Sequence, residues 1–137
     1  MSLTDARAAL VAAFTGASLL DPTVISWENV SFNTPSTGPW IKCAFMPGKS
    51  VPTTLGRQGQ DRVNGIFQID LNYPEGNGEA DAAAMYESIR TLFWAGLRLT
   101  NNGQVVVIMA CSRIQGRIVN NFYKISVTVE FYTFLNR

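Results

Sequence analysis

The chain has 137 residues, enough for one ordinary domain and too few for two. A formal charge of +1, with charged residues at 15%, excludes the basic stripe of a nucleic-acid binder. The lack of any histidine removes the commonest general base, the Ser–His and Cys–His nucleophile pairs and the commonest zinc ligand.

So few charges fit either a surface buried against other chains or a tightly packed monomer. The opening residues, MSLTDARAAL, carry Asp5 and no basic run, so they do not read as a secretory signal. No apolar run approaches the ~18 residues of a membrane span. These features predict a protein made in a cytoplasm.

A first helix is predicted over residues 4–15, capped by Thr4, with Asp5 complementing its dipole. Leu3, Leu10 and Phe14, with Ala6, Ala13 and Ala17, form an apolar stripe. The opposite face holds Ala8, Val11 and Ala12, so the helix has little polar surface and is suited to cover on two sides. Gly16 is placed to stop it. Asp21-Pro22 marks a turn, and residues 24–27 read as a short strand. An irregular link over residues 33–39 follows. Trp27, Phe32 and Trp40 cluster around it, a pattern that fits loop-anchoring packing better than a ligand-stacking platform.

Residues 40–46 alternate, with Ile41, Cys43 and Phe45 inward and Trp40 and Met46 outward; Pro47 is expected to end this strand. Residues 48–61, GKSVPTTLGRQGQD, have almost nothing to bury and predict a long loop or an extended β-arm. Their glycines do not match a phosphate loop. Residues 62–73 are the central strand: Phe67, Ile69, Leu71 and Tyr73 fall on one face, Gln68, Asp70 and Asn72 on the other. Pro74 and a turn over residues 75–78 lead into a second helix, residues 79–95. Its apolar face is Ala82, Met85, Tyr86, Ile89, Leu92 and Phe93, and Gly96 is a plausible stop. The Gly76-x-Gly78 before it lacks the third glycine of a dinucleotide fingerprint, and two carboxylates sit where a pyrophosphate is wanted.

Asn101-Asn102-Gly103 is a turn. Residues 105–114 are a nearly continuous apolar run, read as a strand covered on both faces. Residues 115–121 turn the chain back. Residues 122–134 alternate, with Tyr123, Ile125, Val127, Val129 and Phe131 inward and Lys124, Ser126, Thr128 and Glu130 outward. The order of elements predicts an α+β fold: a mixed, mostly antiparallel sheet with both helices on one face, the other face meeting water or a partner. The whole chain, residues 1–137, is expected to be one domain.

Chemistry-bearing groups are sparse. Cys43 and Cys111 read as buried, reduced thiols. Glu79 and Asp81 point differently on their helix, and the other acids are scattered, so solvated charge is the default for each. No catalytic, cofactor or metal residues are expected. The candidates for partner contact lie in and beside the long loop. Lys49, Arg57 and Arg62 are the basic residues; Val51 and Leu55 are the apolar anchors.

Trp27-Glu28-Asn29, then Phe32, Pro35 and Pro39-Trp40, resembles the opening of the phage tail terminator-like family. So do the strand Gly65-Ile66-Phe67-Gln68-Ile69, the Tyr73-Pro74-x-Gly76-x-Gly78 turn, the helix closing with Phe93-x-x-Gly96 and the final aromatic strand from Tyr123 to Phe134. The resemblance spans about Leu3 to Phe134 and rests on the order and spacing of short structural motifs. It implies a structural virion protein of long, non-contractile tails. It implies a homohexameric ring on the head-proximal end of the tail tube, which stops tube polymerisation and contacts tube and head-completion proteins. DNA would pass through its lumen without specific binding. A small α+β ligand-binding protein or enzyme, with a pocket between the second helix and the sheet, is the alternative.

Overall fold

The structure is a computed structural model, and it describes residues 2–35, 38–76 and 79–137. Its elements in chain order are α1 (Leu3–Gly16), a 3-10 turn (Pro22–Val24), β1 (Ile25–Ser26), β2 (Trp40–Pro52), β3 (Gln60–Pro74), α2 (Ala80–Leu92), β4 (Arg98–Asn101), β5 (Gln104–Arg113), β6 (Arg117–Val119) and β7 (Phe122–Asn136). The strands form one sheet in the order β1-β2-β3-β7-β5-β4, with β6 beside β7. Among the described residues only β1 and β2 pair in parallel; the other neighbours are antiparallel. This is the expected α+β architecture.

The backbone of the fold is β3 against β7, paired without interruption from Gln60↔Asn136 to Pro74↔Phe122. Their inward residues are those predicted by period two. Phe67, Ile69, Leu71, Ile125, Val127, Val129 and Phe131 are all buried, with Ile41 and Cys43 from β2. The helices supply the second layer on this face: Ala6, Ala9, Leu10 and Phe14 of α1, and Ala82 and Ile89 of α2 with Phe93 beyond it. Phe14 meets Trp27 and Phe67 edge-on, and Phe67 meets Phe93, so both helices are keyed to one ring in the central strand.

Several boundaries differ from expectation. The cap of α1 is Ser2, not Thr4. Its hydroxyl accepts from the Asp5 amide at 3.2 Å and donates to the Asp5 carboxylate, so the cap that satisfies an orphan amide lies two residues earlier. Helix α2 ends at Leu92, before Gly96, which instead takes a positive φ in the turn to β4. Pro47 does not end β2. Beyond Ser26 the strand has only β3 as partner, and an irregularity between Pro47 and Ser50 absorbs the proline, the two settings in which a strand tolerates it.

Strands β4 and β6 were not anticipated. Each is joined to the next strand by a two-residue turn with positive φ at both positions, Asn102-Gly103 and Asn120-Asn121. β5 is not covered on both faces. Buried Gln104, Val106 and Ile108 alternate with half-buried Val105, Val107 and Met109, and a register shift between Ile108 and Ala110 ends the pattern. The turn expected over residues 75–78 and the link over residues 33–39 each lie partly outside the described residues.

Candidate interaction surfaces

Residues 48–61 form the end of a β-arm, the second of the two predicted alternatives. β2 and β3 stay paired out to Pro52↔Asp61, leaving residues 53–59 as the turn. The Arg137 guanidinium is inserted into this turn. It donates to the Gly56 carbonyl at 2.9 and 3.1 Å, to the Gln60 carbonyl at 3.2 Å, and to the Thr54 carbonyl and the Asp61 carboxylate. The Arg137 amide adds a bond to the Gly59 carbonyl at 2.9 Å, and Gln60 reaches Asn136 at 2.9 Å. Gly59 is buried beneath the guanidinium; a Cβ there would overlap both it and the Thr54 carbonyl. The arm is thus tied to the end of β7 by one cation, which adds to the turn's own bonds from the Gly59 amide to the Gly56 carbonyl and from Thr53 and Thr54 to the Gln60 carbonyl.

The five predicted contact residues separate into two groups. Lys49, Val51, Leu55 and Arg57 are exposed on the arm, Leu55 at 89% and Val51 at 54%. Lys49 and Arg57 have no ion pair among the described residues. Arg62 is engaged within the chain. Its guanidinium lies 4.1 Å from the Tyr132 ring centroid, and its Nε donates to Asn64 at 2.8 Å. It sits on the sheet face opposite the helices, opposite Val51 and Phe134 in the register.

That outer face was expected to be polar, and only one end of it is. Toward β6 it presents Gln68, Asp70, Asn72, Ser126 and Thr128, with Lys124 3.5 Å from Asp70 and the Phe32–Trp40–Phe122 cluster at the margin. Asp70 and Asn72 are themselves buried. Toward the arm it is mixed: exposed Met46, Val51 and Phe134 and half-buried Ile66, Val107, Met109 and Tyr132 are interleaved with Arg62 and with exposed Asn64 and Glu130. Arg137, Tyr132 and Phe134 were missed as parts of this surface, although the aromatic end of the last strand was visible in the sequence.

At the opposite end of β3 lies a cleft of about 290 Å³ lined by Glu75, Gly76, Glu79, Ile118 and Tyr123. Ile118 is 62% exposed. Glu79 is bonded to Arg113, which holds its carboxyl below the usual range and raises the arginine correspondingly.

A larger cleft, about 450 Å³, lies between the end of α2 and β5. It is lined by Phe93, exposed Trp94, Met109 and Ala110, with Arg90 and Cys111 as its reactive groups. Arg90 is mostly exposed and near Glu87. Burial pushes the Cys111 thiol up to about 11, so it is protonated and a poor nucleophile near neutrality. Cys43 is fully buried and shifted up further by the same cause. No cluster of metal-ligating side chains occurs among the described residues.

The exposed arm residues, with Met46 and Phe134 exposed on the adjoining sheet face, are surfaces suited to contact with other macromolecules. Residues 5–131 match the family model described as phage tail terminator protein, and the chain belongs to that family. It is a structural protein of the phage tail and of tail assembly, and no helix among the described residues is long and apolar enough to cross a membrane. A solved structure 22% identical in sequence superposes with a TM-score of 0.75, covering 97% of this chain and 96% of that one, a likeness of fold. No curated protein sequence matches it significantly.

Proposed function

We propose that this single-domain protein forms a homohexameric ring on the head-proximal end of a long, non-contractile tail tube. It is made in the host cytoplasm and built into the virion. There it stops tube polymerisation and offers its free side to a head-completion protein. The observation that carries this reading is the arm: Leu55 is 89% exposed on a hairpin held in shape by Arg137. An apolar side chain presented on an ordered tip is placed for contact, and it supplies one of the two unlike patches that a cyclic assembly needs. Lys49, Val51, Leu55 and Arg57 make the main contact, on a neighbouring subunit or the last tube ring; Arg62 supports the arm's base. The net charge of +1 suits a ring whose lumen lets DNA pass without gripping it.

Reconstruction of the tail by electron cryo-microscopy tests the assembly: one sixfold ring of this chain at the head-proximal tube end is expected, and any other stoichiometry or position refutes it. The arm is tested by replacing residues 51–60 with a short Gly-Ser linker. The core should still fold, while complementation of tail assembly fails. Tails of normal length joined to heads would show the arm to be dispensable.

A further inference from the structure

The two ends of β3 carry charges of opposite sign, unpaired among the described residues, beside exposed apolar residues, and we infer that the arm tip of one copy seats in the cleft between the start of α2 and β6 of the next. This rests on the ring reading above and names the two patches that close the ring. The arm tip carries Leu55 as its apolar point and Arg57 beside it, with Lys49 further back; none of these cations has an ion pair among the described residues. The one acid of the arm, Asp61, is already taken by Arg137. The cleft offers the converse: it is lined by exposed Ile118 and by Tyr123, with Glu75 beside them. Glu75 is exposed and unpaired among the described residues, as is Asp81 on the first turn of α2. Arg117 on β6 is also exposed, which orients the incoming Arg57 to the Glu75 side.

Geometry forbids the same contact within one chain. The arm turn precedes Gln60 and the cleft follows Pro74, so the fifteen residues of β3 hold them roughly 45–50 Å apart. A patch at one end that fits a patch at the other is a heterologous contact, which yields a closed ring when the rotation per subunit closes and a filament when it does not. Arg137 contributes by presenting the tip in one shape, so that less ordering cost falls on docking.

The test is made in tails assembled in cells complemented with the full-length chain. A Leu55→Cys/Ile118→Cys double variant should give an oxidation-dependent ladder rising to the full ring on a non-reducing gel, while neither single variant exceeds a dimer. Independently, Arg57→Glu should lower the yield of joined tails about tenfold, and adding Glu75→Arg should restore most of it. A sixfold ring at the tube end with neither ladder nor rescue overturns the docking and leaves the terminator reading standing. A ladder and rescue in tails whose ring of this chain lies elsewhere than the head-proximal tube end would overturn that reading while the docking stands. Crosslinking of Leu55→Cys to the tube protein instead would overturn the docking by assigning the arm to a different partner.

Discussion

Removing the Arg137 side chain should release the arm without unfolding the core. The guanidinium satisfies carbonyls of Thr54, Gly56 and Gln60 and the Asp61 carboxylate, and its side chain is about a quarter exposed. Charge-assisted hydrogen bonds contribute about 1.5–3 kcal/mol each in favourable settings, but bonds made by one group are not additive and exposure screens them. A net local loss of about 2 kcal/mol for Arg137→Ala is therefore reasonable. Against this stands the cost of ordering the turn, about 1–2 kcal/mol for each fixed residue, which the remaining two-stranded ladder offsets poorly. Amides of residues 53–60 should lose about 30-fold in hydrogen-exchange protection, the equivalent of 2 kcal/mol, while core amides of β3 and β7 keep theirs. The melting temperature should fall by no more than about 3 °C, because no buried apolar contact is lost. Arg137→Lys should recover only part of the protection, since an ammonium cannot serve acceptors spread around a planar fork. Unchanged protection in Arg137→Ala would mean that the arm keeps its shape through strand pairing alone.

Three further outcomes test the register, the packing and the electrostatics. Val127 is fully buried and Thr128 half-buried on the other face, so Val127→Asp should cost more than ~3 kcal/mol and abolish folding, whereas Thr128→Asp should fold; equal damage in thermal melts would refute the face assignment. Gly65→Ala should lower stability by about 1–3 kcal/mol in denaturant titrations, since a Cβ would lie 2.6 Å from the Phe131 ring and 2.9 Å from the Met46 carbonyl oxygen; Gly16→Ala, with open space around it, should be neutral or slightly stabilising. The carboxyl of Glu79 is held below its ordinary value by Arg113, so the pair's contribution is present above the unfolded value of about 4.3 and is lost as pH falls through the lower folded value. Any difference in melting temperature between wild type and Glu79→Gln at pH 6 should therefore shrink as the pH approaches 3, and a constant difference would contradict that origin.

Side-chain periodicity made the central fold legible. Phe67, Ile69 and Leu71, and Ile125, Val127 and Val129, could be assigned to the core because a strand alternates faces whatever its partners are. The face of α2 was readable for the corresponding reason at helical spacing. What failed was whatever depended on a residue far away in sequence. β4 and β6 have four and three residues of mixed polarity and no period to detect; only the Asn102-Gly103 and Asn120-Asn121 turns hinted at hairpins. Pro47 is a strand breaker by itself and is tolerated because β2 is an edge strand with an irregularity there. The arm was readable as polar and extended, but not as ordered, because its latch, Arg137, acts across 76 residues to reach Asp61. Arg62 was singled out beside Arg57 by proximity in sequence, while the register places it against Tyr132 on the outer face.

The division of that outer face constrains how a ring can be oriented. If the outward residues of β3 and β7 had been polar throughout, the whole face could line an aqueous channel. Only the end bearing Gln68, Thr128, Lys42 and Lys124 has that character. At the arm end exposed Met46, Val51 and Phe134 and half-buried Ile66, Val107 and Tyr132 share the face with Arg62, Asn64 and Glu130. Scattered apolar residues are ordinary on a surface, but several exposed apolar side chains interleaved with charged ones beside a projecting arm have the make-up of a protein contact. In the proposed ring the arm half of the face therefore lies against protein, a neighbouring subunit or the tube. Only the polar half is free to face the lumen, where its lysines are partly neutralised by Asp70, 3.5 Å from Lys124. A lumen lined in this way keeps one uncompensated lysine per subunit, a sparse cationic lining that fits a passage holding DNA weakly.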